Sequence, residues 1–107
     1  MKTWNDVFLK HKTQSAVYVV DGLPFSILCS AELNNINNLN SFIYIVPNKS
    51  LYKKMNDALI LAHTSSYEIR VYKKIVKNSW LDDGLYRIEN YETKNLKIQY
   101  EFLRLQF

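Results

Sequence analysis

The chain has 107 residues, of which 48% are hydrophobic and 14% aromatic. This composition excludes a disordered chain, and the length is that of one domain, residues 1–107, which can bury a core without disulfides or a metal. Lysine and arginine outnumber aspartate and glutamate by 14 to 10, a net charge of +4. That balance is compatible with a nucleic-acid or anionic partner but does not require one.

Several kinds of chemistry have no signal in the sequence. Cys29 is the single cysteine, and its apolar surroundings predict a buried core residue rather than a nucleophile. His11 and His63 have no cysteine or histidine at ligand spacing, so we expect no metal site and no cofactor. Gly22 and Gly84 are too few for a glycine-rich phosphate loop. We therefore expect a protein that is not an enzyme.

Six segments alternate apolar and polar residues with period two, the pattern of half-buried strands. They are residues 15–20, 24–33, 41–46, 67–76, 85–90 and 96–107. Asp21-Gly22 predicts a tight hairpin turn between the first two. The Asn-rich residues 34–40 favour turns over strand ladders, so we expect an exposed connection there.

Two segments follow the helical period instead. Residues 3–12 predict a short amphipathic helix with Thr3 as its N-cap. Residues 49–65 predict the central helix, in which one apolar stripe should be buried; its members are Leu51, Met55, Leu59 and Ala62.

The predicted order is α-β-β-β-α-β-β-β, a mainly β fold with one central helix. Three strands, a helix and two strands are the element order of the OB-fold, a five-stranded barrel, and the first helix and last strand would be additions. We therefore expect an OB-fold-like barrel with the helix of residues 49–65 packed across one end. The last strand should turn Leu96, Ile98, Tyr100 and Phe102 inward.

Residues 52–72 combine a helix of Met, Leu and Ala, a polar turn and an alternating strand. This stretch resembles the pentameric receptor-binding B subunits of bacterial toxins of the cholera, pertussis and subtilase types. The resemblance implies an OB-fold, a homo-oligomeric ring such as a pentamer, a cell-surface glycan as ligand and a catalytic toxin subunit as partner. It also implies a mature, secreted chain.

Localisation follows from the function that is adopted. No apolar region of export-signal length begins the chain, and no segment approaches the length of a membrane span. We expect no membrane insertion, and a cytoplasmic protein if the toxin resemblance does not hold.

The predicted ligand-binding residues lie close together in sequence; they are Asn78, Trp80, Asp82, Asp83 and Tyr86. An aromatic ring beside amide and carboxylate groups suits a sugar, which has an apolar C–H face and a ring of hydroxyls. Adjacent aspartates in a strand would point to opposite faces and could not act as an acid and base pair. The alternative is that Trp80 fills a barrel end and the two aspartates make a turn.

The sequence therefore predicts a non-catalytic binding protein with a glycan as the leading ligand. Two other functions stay open. One is binding of single-stranded nucleic acid along Arg70, Tyr72 and Lys74, which should form the solvated side of the fourth strand. The other is a small inhibitor or immunity-type protein that binds a partner protein and leaves no motif.

Overall fold

The computed structural model describes residues 2–30 and 40–105. Within these ranges the order α-β-β-β-α-β-β-β is the predicted one. The helices are α1 (Trp4–His11) and α2 (Lys53–Ser65), and a 3₁₀ turn, Ser50–Tyr52, precedes α2. The strands are β1 (Val17–Val20), β2 (Leu23–Ser30), β3 (Ser41–Pro47), β4 (Ile69–Val76), β5 (Ser79–Lys94) and β6 (Lys97–Arg104).

Helix α1 begins where its cap satisfies the first backbone amides. The Thr3 hydroxyl accepts a hydrogen bond from the Asp6 amide, and the Asp6 carboxylate accepts one from the Thr3 amide. This reciprocal pair is a capping box. Lys12 ends the helix in the left-handed conformation, with φ of 59°. The predicted helix and its N-cap are confirmed.

The six strands form one mixed sheet in the order β1-β2-β4-β5-β6-β3. Strands β2 and β4 are parallel, and the other neighbours are antiparallel. The sheet is curved, so that β3 lies close to β2, and the Tyr44 hydroxyl of β3 donates to the Leu28 carbonyl of β2 at 3.1 Å.

The mainly β class and the central helix are confirmed, but the closed OB-like barrel is not. Between β1 and β3, the two edges, no strand ladder exists among residues 2–30 and 40–105. After α2 the chain does not extend the β3 side of the sheet. It returns to lie parallel to β2, so α2 belongs to a crossover and the sheet stays open.

The two faces of the sheet carry different cores. We call the face that packs against α2 the inner face; its fully buried members include Ile27, Val71, Tyr86, Tyr100 and Phe102. We call the face that packs against α1 the outer face, where Val7 contacts Tyr72 and Trp80.

Regular helix begins later than the sequence predicts. Leu51 lies in the 3₁₀ turn before α2 and is 84% exposed, so its predicted burial is wrong. A 3₁₀ turn has three residues per turn, which rotates Leu51 away from the apolar stripe. Leu59 and Ala62 are buried as predicted, and Met55 is half-buried against the inner core.

Strand positions differ from the prediction at three places. The turn that was the alternative interpretation of Asp82 and Asp83 is not formed, because both residues lie in the first part of β5. Ile75, which period-two alternation would place on the same side as the buried Ile69 and Val71, is 51% exposed, because the β4 register shifts between Lys74 and Val76. Leu96 is 71% exposed because it lies in the turn that joins β5 to β6. The inward positions of Ile98, Tyr100 and Phe102 are confirmed.

The Asn-rich connection predicted at residues 34–40 lies outside the described residues except for Asn40. In the described ranges, no helix is both long enough and apolar enough to cross a membrane.

Candidate functional site

Strand β5 divides the five predicted ligand-binding residues between two faces of the sheet. Trp80 and Asp82 lie on the outer face, whereas Asp83 and Tyr86 lie on the inner face. Asn78 is in the turn before β5, with φ of 58°. The predicted set is therefore not brought together as one site.

On the outer face these residues hold α1 against the sheet. The Trp80 ring is 5.5 Å from the ring of Trp4 and is nearly buried. The Asn78 side-chain oxygen accepts a hydrogen bond from the Trp4 amide at 2.9 Å. Asp82 accepts from Arg70 through both carboxylate oxygens, at 2.8 and 3.1 Å. The indole of Trp80 thus packs against the protein and is not exposed for a sugar ring to stack on.

The solvated surface predicted along Arg70, Tyr72 and Lys74 is found only in part, because Lys74 is exposed and Arg70 is partly exposed but Tyr72 is not. Tyr72 is fully buried in the outer cluster with Val7 of α1, so its ring cannot stack on a base. Arg70 is paired with Asp82. Tyr72 is buried because α1 packs on the face of β4 that the alternation predicted to be open to solvent.

The inner face holds a compact group of four polar side chains. The Asp83 carboxylate, 7% exposed, accepts from Lys73 Nζ at 2.9 Å, from Arg104 Nη2 at 2.6 Å and from the Tyr86 hydroxyl. The Tyr86 oxygen in turn accepts from Lys73 and from Arg104, each at 3.2 Å. We call Lys73, Asp83, Tyr86 and Arg104 the ionic cluster.

Three neighbouring strands supply the ionic cluster. Lys73 comes from β4 and Arg104 from β6, on either side of β5. Residues three apart in a regular strand face opposite sides, yet Asp83 and Tyr86 share the inner face. A register shift places one extra β5 residue here, and Gly84 with φ of 84° permits it. This bulge aims Asp83 at the two cations.

Aromatic rings lie beside the cations. Lys73 Nζ is 4.9 Å from the ring centre of Phe42 and 5.3 Å from that of Tyr86. The Arg104 guanidinium is 5.5 Å from the Tyr86 ring centre. Such contacts stabilise a cation through the negative face of the ring. Phe42 is itself stacked on Phe102 at 4.9 Å.

The ionic cluster stays charged at neutral pH. Burial raises the pKa of Asp83, but its bonds to Tyr86 and Lys73 and the charges of Lys73 and Arg104 outweigh burial and lower the pKa overall. Burial lowers the pKa of Lys73, and its bonds to Asp83 and Tyr86 more than reverse this. Burial and the bond to Asp83 raise the pKa of Tyr86, which stays protonated. The charged members of the cluster are the ammonium of Lys73, the carboxylate of Asp83 and the guanidinium of Arg104.

Both cations of the ionic cluster keep some exposure to solvent. The Lys73 side chain is 11% exposed and that of Arg104 is 33% exposed. A partly buried cation favours a hydrogen-bond acceptor or an anion as its neighbour. The ionic cluster can therefore accept a ligand that brings acceptor oxygens or nitrogens.

Cys29 lies beside Lys73 in the sheet register. It is fully buried, as the sequence predicts. Burial raises its pKa to about 11, Lys73 lowers it and Asp83 raises it further. The side chain is a thiol, and the thiolate needed for nucleophilic chemistry is not populated at neutral pH.

The sequence positions of Lys73 and Arg104 could have indicated that both side chains face the interior. Lys73 follows Ile69 and Val71 at the inward positions of its strand, and Arg104 follows Tyr100 and Phe102 in the same way. A charged residue at an inward position must find a partner. Two such residues in separate strands indicate a buried ionic group.

In fold, the chain is similar to SRA domains. It matches the SRA of SUVH5, solved in complex with fully methylated CG DNA, with a TM-score of 0.79 and 23% identity over 100% of this chain and 87% of that chain. It matches Arabidopsis thaliana SUVH6, solved in complex with SAM, with a TM-score of 0.78 and 18% identity over 100% of this chain and 25% of that chain. The chain thus spans a quarter of SUVH6. In sequence, no family model and no curated protein matches it.

This likeness corrects the resemblance to toxin B subunits. The neighbours in structure are the SRA of SUVH5 and the SUVH6 protein, not toxin subunits. The helix and strand of residues 52–72 reflect a pattern that any sheet needs when a helix packs across it, whatever its ligand. The glycan ligand, toxin partner, ring assembly and secretion inferred from the resemblance therefore have no support.

Proposed function

We propose that this chain is a nucleic-acid-binding domain without catalytic activity, and that its ligand contacts the ionic cluster. The observation that carries the proposal is the charge of that cluster. Two partly accessible cations, Lys73 and Arg104, share the single carboxylate of Asp83. An ammonium and a guanidinium that lie side by side and keep some exposure favour a ligand rich in acceptors and negative charge.

Nucleic acid fits these groups better than other acceptor-rich ligands. A guanidinium can donate two parallel bonds to a phosphate or to the O6 and N7 atoms of guanine. An ammonium such as that of Lys73 binds phosphate as a point charge. The net charge of +4 favours association with a polyanion. The likeness in fold to the SUVH5 SRA, which was solved with DNA, supports the same class of ligand.

Two features support binding without catalysis. Asp82 and Asp83 lie on opposite faces, so they cannot share one substrate as acid and base. The thiol of Cys29 is buried and protonated. Through Lys73 and Arg104 the ionic cluster offers a ligand hydrogen-bond donors and positive charge.

Fluorescence anisotropy with labelled DNA tests the proposal. Duplexes with an unmethylated and with a fully methylated CG step, and the corresponding single strand, should be compared at several salt concentrations. We expect binding that weakens as salt rises, because phosphate contacts release counterions. The ratio between the two duplexes measures whether the chain shares the ligand of the SUVH5 SRA.

Matched variants locate the site. Arg104→Gln and Lys73→Gln should each weaken binding about tenfold, since one good contact of this type is worth about 1–3 kcal/mol. Lys97→Gln removes the same charge from an exposed position at the start of β6 and should change affinity little. Circular dichroism and thermal unfolding check that each variant is folded. Absence of binding at low salt, or an equal loss in the Lys97 variant, would contradict the proposal.

A further inference from the structure

Strand β1 presents an unpaired edge of the sheet. The Leu28 amide donates to the Ala16 carbonyl at 2.7 Å, and Val17 lies opposite Ile27. Bonded and non-bonded pairs alternate in an antiparallel ladder, so the N–H and C=O of Val17 point away from β2. The register shifts between Tyr18 and Val19, and beyond the shift Val19 lies opposite Pro24, which has no N–H, so the backbone groups of Val19 also point away from β2. In the described part of the chain no strand pairs with this edge.

A groove of about 440 Å³ runs along the same edge, between β1 and the start of α2. Val17 and Val19 line one side, and Leu51 and Met55 line the other. A second groove of about 450 Å³ continues it toward Gly22. Leu51 is 84% exposed, so its wall of the groove is open to solvent, whereas on the β1 side Val17 is 5% exposed and Val19 is half-buried.

The groove is positively charged. Lys12 and Lys54 line it, and none of its lining residues is acidic. Among the described residues, neither lysine has a carboxylate within ion-pair distance. In the continuation the one carboxylate, Asp57, is held by Lys53 at 2.6 Å.

We propose that this groove binds an extended acidic peptide segment of a partner protein, which adds to the sheet as a strand beside β1. The backbone of the peptide pairs with the outward groups of Val17 and Val19. Its carboxylates meet Lys12 and Lys54. An apolar side chain at an alternate position covers Leu51.

The charge and the hydrogen-bonding groups favour this occupant over two others. A nucleic-acid backbone offers acceptors to the lysines but no donors for the outward carbonyls of β1. A second copy of the chain would pair Val-Tyr-Val-Val with itself, and β1 contains no carboxylate. Pairing two copies would therefore bring Lys12 and Lys54 of both chains together without counter-charges.

A capped seven-residue peptide that alternates glutamate and valine is the probe. Titrated into isotope-labelled protein, it should shift the amide signals of Val17 and Val19 and slow their hydrogen exchange. The same peptide with alternate backbone nitrogens methylated keeps its side chains but cannot pair along one edge, and it should bind at least tenfold more weakly. A peptide with lysine in place of glutamate should not bind.

Charge reversal in the protein tests the lysines. The double variant Lys12→Glu, Lys54→Glu should weaken the acidic peptide at least tenfold. The control Lys94→Glu, Lys97→Glu makes the same charge change at exposed positions near the β5–β6 turn and should stay within about twofold. The methylated peptide provides a test that does not depend on the folding of a variant.

Four outcomes would overturn the peptide site. The first two are that the methylated peptide binds as tightly as the unmethylated one, and that both double variants lose the same affinity for the acidic peptide. The third is a concentration-dependent dimer, seen by ultracentrifugation, that Lys12→Glu, Lys54→Glu abolishes. The fourth is a loss of DNA affinity that occurs in this variant and not in the control. The last two would assign the groove to a second copy and to nucleic acid, respectively. Binding of DNA at the ionic cluster is measured separately, so either proposal can fail alone.

Discussion

Asp82 and Asp83 are adjacent in β5 and occupy opposite surfaces of the protein. On the outer face, Asp82 is paired with Arg70 at 2.8 Å, and the two side chains are 29% and 38% exposed. On the inner face, Asp83 is 6% exposed by side chain and accepts bonds from two cations and a phenol. The two adjacent aspartates therefore have different physical roles.

The difference lies in desolvation. An ion pair near water gains little, because solvent competes for both charges. A buried carboxylate has lost its hydration and depends on every partner that replaces it. The outer pair therefore contributes little to stability. In the ionic cluster, removal of one member takes a hydrogen-bond partner from each of the buried groups that contact it.

The largest expected effect comes from Asp83→Asn. This change keeps the shape of the side chain but removes the negative charge that both Lys73 and Arg104 contact. Breaking a buried ionic group in this way costs about 3 kcal/mol or more. Urea unfolding monitored by circular dichroism measures the change. A loss below about 1 kcal/mol would mean that water solvates the ionic cluster as well as it solvates the outer pair.

The second largest expected effect is on the pH dependence of the free energy of unfolding, which should differ between the two faces. On the outer side, His11 is fully buried, with Nδ1 2.6 Å from the Ser26 hydroxyl and Nε2 2.7 Å from the Ser15 carbonyl. The rings of Tyr18 and Tyr72 pack edge-on against it. Burial lowers the pKa of His11 below its ordinary value of 6.5, although the bond to Ser15 raises it.

The unfolded chain therefore binds a proton at His11 before the folded chain does. Stability should be complete above pH 6.5 and should fall as the pH drops from 6.5 toward the lower pKa of the folded state. The contribution of Asp83 is different, because its folded pKa lies below 3.8. That contribution is present above pH 3.8 and is lost only in stronger acid.

Urea unfolding at a series of pH values should show these two windows. His11→Gln should remove the slope that begins at pH 6.5 and leave the loss below pH 3.8. If the His11 variant retains the first slope, another group titrates there, and the assignment of that window to the outer face is wrong.

The sequence predicted the elements better than their arrangement. Period-two alternation located all six strands, and the cap at Thr3 located α1, because both signals are local. The position of β4 beside β2 depends on a crossover that no local pattern encodes. The OB-fold was inferred from the order of elements along the chain, and the open sheet corrects it.

The candidate site was predicted in part for the same reason. Asp83 and Tyr86 were identified from sequence, but they were grouped with Trp80, which belongs to the outer face. Lys73 and Arg104 come from other strands, so no motif joins them to Asp83. Only their inward positions, among apolar residues, could have indicated a buried ionic group.

The smallest expected effect, and the control for the largest, is Asp82→Asn. The amide keeps an oxygen that can accept from the Gly84 amide, as Asp82 does now at 3.2 Å. What is lost is the charge opposite Arg70, and a half-exposed pair of this kind contributes roughly 0.2–1 kcal/mol. Urea unfolding of Asp82→Asn, Arg70→Gln and the double variant isolates the pair as a coupling energy. Affinity for DNA should not change, because neither residue belongs to the ionic cluster. A coupling energy as large as the loss in Asp83→Asn would remove the distinction between the two faces, since both carboxylates would then depend equally on their partners.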